Sequence, residues 1–211
     1  MGRMLHAIYS RPEAERTGTH LVILFHGYGS REEHMIPWFS ALPGDATGVA
    51  LRGGLDMDGE YGWFLLDYFL ANDFAEVLSG AGRVFDWQDA NATGYASISL
   101  LGHSQGMAMA STLQRLRPGS YRAVVGLSGF VLDNELLNLT DTVPGDRAEA
   151  IPFFWGRDPM DPVINADALE HTADWLSANS RLTARSYPGM GHGFGPEEQR
   201  DVAAFLNHYL R

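Results

Sequence analysis

The chain has 211 residues, a formal net charge of −11 and no cysteine. That length suits one α/β domain over residues 1–211, the charge argues against nucleic acid and anionic membrane surfaces, and the missing cysteines exclude disulfides, zinc–thiolate sites and a cysteine nucleophile. All fifteen basic residues are arginine, so there is no lysine for a Schiff base or a Ser–Lys pair. No apolar run reaches membrane-spanning length, and Met1 to Ser10 lacks a signal-peptide core, so a cytoplasmic location is expected.

In chain order, Leu5 to Tyr9 and His20 to Phe25 read as strands. The turn residues Arg11-Pro12 and Thr17-Gly18 between them predict an antiparallel hairpin at a sheet edge. Residues 33–41 are helical in pattern, with Glu32-Glu33-His34 as the exposed start. Val49 to Leu51 is a short strand, and Gly53 to Asp67 an irregular excursion. A helix is expected over 72–90, a strand over Ser97 to Leu101, and a helix over 105–117, stopped by Pro118-Gly119. Ala123 to Leu127 is the next strand, followed by an irregular stretch from Val131 to Ala150. Strands at Pro152 to Trp155 and Leu182 to Tyr187 enclose a helix over 165–179, and a last helix covers 197–210. Apolar strands alternating with helices predict an open, mostly parallel sheet with helices on both faces and no large lid domain. In such sheets the loops beyond the carboxyl ends of strands build the site.

Leu100-Leu101-Gly102-His103-Ser104-Gln105-Gly106-Met107 holds a Gly-x-Ser-x-Gly motif between an apolar strand and a helix. Five letters alone are weak, but this context is that of a nucleophile elbow, where a sharp turn exposes the serine hydroxyl. Glycine is needed at 102 and 106 because strand and helix nearly touch there. A serine needs a base, and the base needs a partner that fixes its tautomer. Both follow in the order Ser, Asp, His: Asp158 and Asp161 after the 152–155 strand, and His192, flanked by glycines, after the 182–187 strand. Either aspartate fits by order; the other braces a turn. The tetrahedral intermediate needs an oxyanion hole. Gln105 N–H at the helix start is one donor, and Tyr28 N–H, in Phe25-His26-Gly27-Tyr28-Gly29-Ser30, is the choice for the second. His26 and His103 read as buried scaffold histidines. No His-x-His or His-Glu-x-x-His spacing occurs, so no metal is expected.

These stretches, with Leu51-Arg52-Gly53-Gly54, Gly62-Trp63-Phe64, Asp161-Pro162-Val163-Ile164 and Tyr187-Pro188-Gly189-Met190-Gly191-His192, resemble the phospholipase/carboxylesterase family of α/β-hydrolases. The resemblance spans residues 24 to 192 in order. It implies the α/β-hydrolase fold, Ser104, Asp161 and His192 as a triad, Tyr28 and Gln105 as oxyanion donors, and Trp63 in the pocket. Two departures stand out. The family often has proline soon after the Leu-Arg pair, where this chain has Gly53-Gly54, and His192-Gly193-Phe194 is also similar to the ending of dienelactone hydrolases, which typically use a cysteine.

Position beside the elbow and after the next strand adds Met107 and Phe130 as substrate-binding residues, with core packing as the alternative; Trp63, Phe64 and Phe69 divide the same way. The expected function is a serine carboxylesterase acting on short- to medium-chain esters, a small-molecule substrate, without a cofactor. A thioesterase or lysophospholipase would use the same groups, and a non-catalytic ligand-binding homologue is the alternative of another class. The resemblance admits a homodimer.

Overall fold

The computed structural model describes residues 5–66, 74–141 and 150–211. Phe69 and the first two residues of the helix expected from 72 lie outside them. The chain runs through β1 (Ala7–Tyr9), β2 (His20–Phe25), a 3-10 helix (Glu32–Ala41), β3 (Ala46–Leu51), β4 (Leu55–Met57) and β5 (Glu60–Gly62). Then come α1 (Ala75–Asn91), β6 (Ser97–His103), α2 (Gln105–Leu116), β7 (Val124–Leu127), α3 (Glu135–Thr140), β8 (Ile151–Arg157), α4 (Ala166–Asn179), β9 (Ser180–Ser186) and α5 (Pro196–Tyr209).

Alternate strand residues face opposite sides of a sheet, and this sets the layers. Along β2, Leu21, Ile23 and Phe25 join one apolar cluster, and Val22 and Leu24 join the other. The same split separates Leu100 from Leu101, Val124 from Val125, and Phe153 from Phe154. Two apolar faces need two covers. Val77, Val84, Met109 and Trp175 of α1, α2 and α4 cover the first; Met35 and Trp38 of the 3-10 helix and Val202 and Phe205 of α5 cover the second.

The main sheet has the order β1-β3-β2-β6-β7-β8-β9. Every neighbouring pair is parallel except β1–β3. Placing β1 in a hairpin with β2 is therefore incorrect: β1 pairs with β3, Ala7 opposite Leu51. Both edges of β2 are taken by β3 and β6. Its run from Leu21 to Phe25 is fully buried, whereas the three residues of β1 are half-buried and suit an edge. β9 is the opposite edge, with Arg181 and Arg185 exposed.

Three further departures have physical causes. The helix expected over 33–41 is 3-10, with Pro37 inside; proline offers no N–H for an α-type bond and crowds the carbonyl four residues back. Glu32 is fully buried rather than exposed, because Arg52 grips its carboxylate through Nε at 2.8 Å and His6 Nδ1 lies 2.8 Å away. Burial alone would raise the Glu32 carboxyl, but Arg52, the backbone N–H of Glu32 and His6 together outweigh it and hold the group below its ordinary value. The excursion after Gly53 contains the β4–β5 hairpin, turned at Asp58 and Gly59 with φ of 61° and 92°, the Asp-Gly turn that matches strand twist.

Candidate active site

β6 ends at His103 and α2 starts at Gln105, so Ser104 alone makes the turn. Its φ of 54° and ψ of −121° lie where a non-glycine residue is strained. The strain is held by close packing on both sides. A Cβ on Gly102 would overlap the Gly106 carbonyl, and one on Gly106 would overlap the carbonyl of Phe25 on β2. Strand and helix can approach this closely only without side chains at 102 and 106. The Ser104 N–H donates to Leu127 O at 2.9 Å, tying the turn to β7.

Ser104 Oγ lies 2.8 Å from His192 Nε2, and His192 Nδ1 lies 2.8 Å from Asp161 Oδ2. The Asp161 side chain is almost fully buried; that of His192 is partly open. Asp158 makes no bond to His192. Its Oδ1 accepts from Met160 N–H at 2.9 Å and its Oδ2 from Gly191 N–H at 2.7 Å. These N–H groups, Gly191 first, hold the Asp158 carboxyl below its ordinary value. The loop carrying His192 is anchored at three successive residues: Gly191 by Asp158, the His192 carbonyl by His103 Nε2–H at 2.9 Å, and the Gly193 carbonyl by Ser128 Oγ–H at 2.9 Å. Ser128 sits at φ 44° just past β7. The sequence reading missed it, and its one signal is position, since it follows a parallel strand at the carboxyl edge where the site is built.

The turn after β2 closes over the elbow. A Cβ on Gly27 would stand 3.3 Å from the Ser104 Cβ, so the turn packs directly on the serine, and Tyr28 lines the cavity with it. His26 fixes this turn: its Nε2 accepts from Gly53 N–H at 2.9 Å, leaving Nδ1 as the donor to Gly27 O at 2.7 Å. Burial pushes the His26 and His103 imidazoles down to about 4, so both are neutral scaffold groups at pH 7. The β4–β5 hairpin supports the turn from outside, as Ser30 and Tyr61 exchange backbone bonds of 3.2 and 2.8 Å. Gln105 also has a side-chain role that the sequence reading did not reach. Its Oε1 accepts from Trp63 N–H at 2.9 Å and its Nε2 donates to Phe64 O at 2.7 Å, holding residues 63–64 against α2.

A cavity of about 470 Å³ opens over Ser104 and His192. Its walls are Tyr28 and Ser30 of the turn, Glu33 to Met35 and Pro37 of the 3-10 helix, and His103 and Phe194. Trp63, Met107 and Phe130, expected on the substrate, do not line it. Trp63 is 2% exposed and donates Nε1–H to His26 O at 2.8 Å; Met107 is fully buried beneath the glycines at 126 and 129; Phe130 is 6% exposed in the same apolar cluster. Family likeness put Trp63 on the substrate and sequence position put Met107 and Phe130 there, but all three belong to the apolar cluster that α1, α2 and α4 cover. Among the described residues, no three His, Asp or Glu side chains group as metal ligands, and no helix is long and apolar enough to cross a membrane.

Comparison with known proteins gives the same family as the motifs. The family model described as Phospholipase/Carboxylesterase matches residues 65–210. An acyl-protein thioesterase 1 of Candida albicans is 31% identical over 112 residues, covering 52% of this chain and 48% of that protein; the match spans about half the relative's length. An acyl-protein thioesterase 1 of Cryptococcus neoformans is 28% identical over 236 aligned positions, covering 95% of each chain. The crystal structure of a Bacillus cereus carboxylesterase superposes with a TM-score of 0.78 at 18% identity, over 98% of this chain and 95% of that one, which shows the shared fold. The chain belongs to the phospholipase/carboxylesterase family and is a serine hydrolase of the α/β-hydrolase fold.

Proposed function

We propose that the chain is a carboxylesterase that works through an acyl-enzyme on Ser104. The observation that supports this is the hydrogen-bonded row from Asp161 through His192 to Ser104, with both links at 2.8 Å. Asp161 accepts from Nδ1–H and leaves Nε2 free to take the Ser104 proton as Oγ attacks the ester carbonyl. The N–H groups of Tyr28 and Gln105 receive the carbonyl oxygen as it becomes an oxyanion. The tetrahedral intermediate then collapses, the bond to the alcohol breaks, and His192 gives its proton to the departing oxygen. Water repeats the sequence: His192 takes its proton, hydroxide attacks the acyl carbonyl, and Ser104 leaves reprotonated with the acid released. A cavity of about 470 Å³ suits a small ester.

Thioester hydrolysis is the second reading, because curated relatives in the family are acyl-protein thioesterases. The same steps cleave a C–S bond, with the thiolate leaving more readily than an alkoxide. A series of p-nitrophenyl esters and matched thioesters from acetyl to palmitoyl separates the two. The ester reading expects kcat/KM to peak between acetyl and octanoyl esters. A preference for palmitoyl thioesters over every ester would overturn it in favour of the second.

A further inference from the structure

The cavity over Ser104 has a direction relative to the reacting bond. His192 must reach the oxygen that departs, so the leaving group lies on the imidazole side of Ser104. The cavity reaches that side, since His192 is part of its lining along with Tyr28 and Ser104. His103 also lines it, as does Phe194, two residues beyond His192. Its far wall is the 3-10 helix, locked in place where the Phe194 ring meets Trp38 at 5.2 Å and His103 at 5.5 Å, both edge to face. This wall is fixed before any substrate binds.

Its chemistry is mixed. Met35, Pro37 and Phe194 supply apolar surface, and Ser30, Glu33 and His34 supply polar groups. Ser30 Oγ and His34 Nδ1 are 2.6 Å apart, which fixes the imidazole and leaves His34 Nε2 for a ligand. Glu33 does not make the wall anionic, because Arg31 and Arg52 each stand 3.9 Å from its carboxylate. An anionic leaving group would still approach the carboxylate of a chain carrying −11, and a cationic one would meet a carboxylate already countered. A neutral group that both donates and accepts hydrogen bonds fits this wall.

We propose that this cavity is a leaving-group subsite for a neutral hydroxylated alcohol of glycerol size, and that His34, held by Ser30, is its specificity-determining residue. This rests on Ser104 and His192 acting as described above. The free hydroxyls of the alcohol bond to His34 and Ser30 while its carbon chain lies on Pro37 and Phe194.

The test uses butyrates that share one acyl group: 1-monobutyrin, ethyl butyrate, butyrylcholine and p-nitrophenyl butyrate. Each kcat/KM is divided by the ester's rate of hydroxide hydrolysis. On that scale 1-monobutyrin should exceed ethyl butyrate and butyrylcholine by up to about tenfold, the net worth of one or two hydrogen bonds. His34→Leu should bring the monobutyrin-to-ethyl ratio close to one, and His34→Gln, which keeps a donor and an acceptor, should retain most of it. Equal rates for the glyceryl and ethyl esters, a ratio unchanged in His34→Leu, or a preference for butyrylcholine would each overturn the subsite. Turnover of p-nitrophenyl butyrate with a flat series overturns the subsite alone. Failure of the wild type to hydrolyse any of the four, or to react with a fluorophosphonate, overturns the esterase reading with it.

Discussion

Two aspartates three residues apart divide two tasks. Asp161 faces His192 Nδ1 at 2.8 Å, and Asp158 spends both oxygens on backbone N–H groups of Met160 and Gly191. Asp161→Asn keeps shape but favours the wrong His192 tautomer, so kcat should fall about 10³–10⁴-fold with folding unaffected. Asp158→Asn should act on stability instead. The folded carboxyl lies below its ordinary value, so its contribution is present above the unfolded value near 4 and lost as pH falls through the lowered one. Urea midpoints of wild type and Asp158→Asn should therefore differ at pH 7 and converge below pH 4. The assignment is reversed if Asp158→Asn is the inactive variant and Asp161→Asn turns over normally. Before the structure, motif order left the two aspartates level, and family likeness together with the length of loop available to reach His192 favoured Asp161, because the choice depends on how a loop folds back over the intervening chain.

At the level of elements, the elbow is the feature most exposed to a single methyl group. Gly106→Ala must push α2 away from β2, because the new carbon overlaps the Phe25 carbonyl. The expected loss is more than about 4 kcal/mol, or no folded protein. Gly82→Ala is the matched control: it lies inside α1, its added carbon meets nothing within 4 Å, and it should stabilise by up to about 1 kcal/mol. Chemical denaturation of the two variants checks both signs; a folded, undestabilised Gly106→Ala would contradict the close approach. The elbow was legible because glycine spacing and an apolar run are local signals. The β4–β5 hairpin was not read, although Asp58-Gly59 is a local signal, because flanking pairs of only three residues give alternation too little length to register. Burial of Glu32 had no local signal at all, since it depends on Arg52 arriving from the next strand.

For the molecule as a whole, the alternating clusters on the two sheet faces were foreshadowed by strand and helix periods, while strand order was not, since β1 crosses to β3 rather than turning back on β2. Overall stability should carry a pH dependence set by a buried carboxyl outside the triad. Glu198, in the first turn of α5, is fully buried, and burial pushes its carboxyl up to about 8, with the Gly195 backbone offsetting only part. A folded value above the unfolded one means the folded protein holds the extra proton. Stability is then lost as pH rises from near 4 through 8 and levels off beyond. Glu198→Gln should remove that loss, so its Tm should exceed that of wild type at pH 8.5 by more than at pH 5. Parallel Tm curves for the two proteins would mean the carboxylate is accommodated in the fold.

The central claim concerns one oxygen atom, Ser104 Oγ, and the acyl group it is proposed to carry. The most direct measurement is kcat of Ser104→Ala on p-nitrophenyl butyrate, made on protein whose near-ultraviolet circular dichroism matches wild type. The account predicts a loss of about 10³-fold or more, because the remaining groups can only orient water. A variant that keeps more than about a tenth of the wild-type kcat would contradict it.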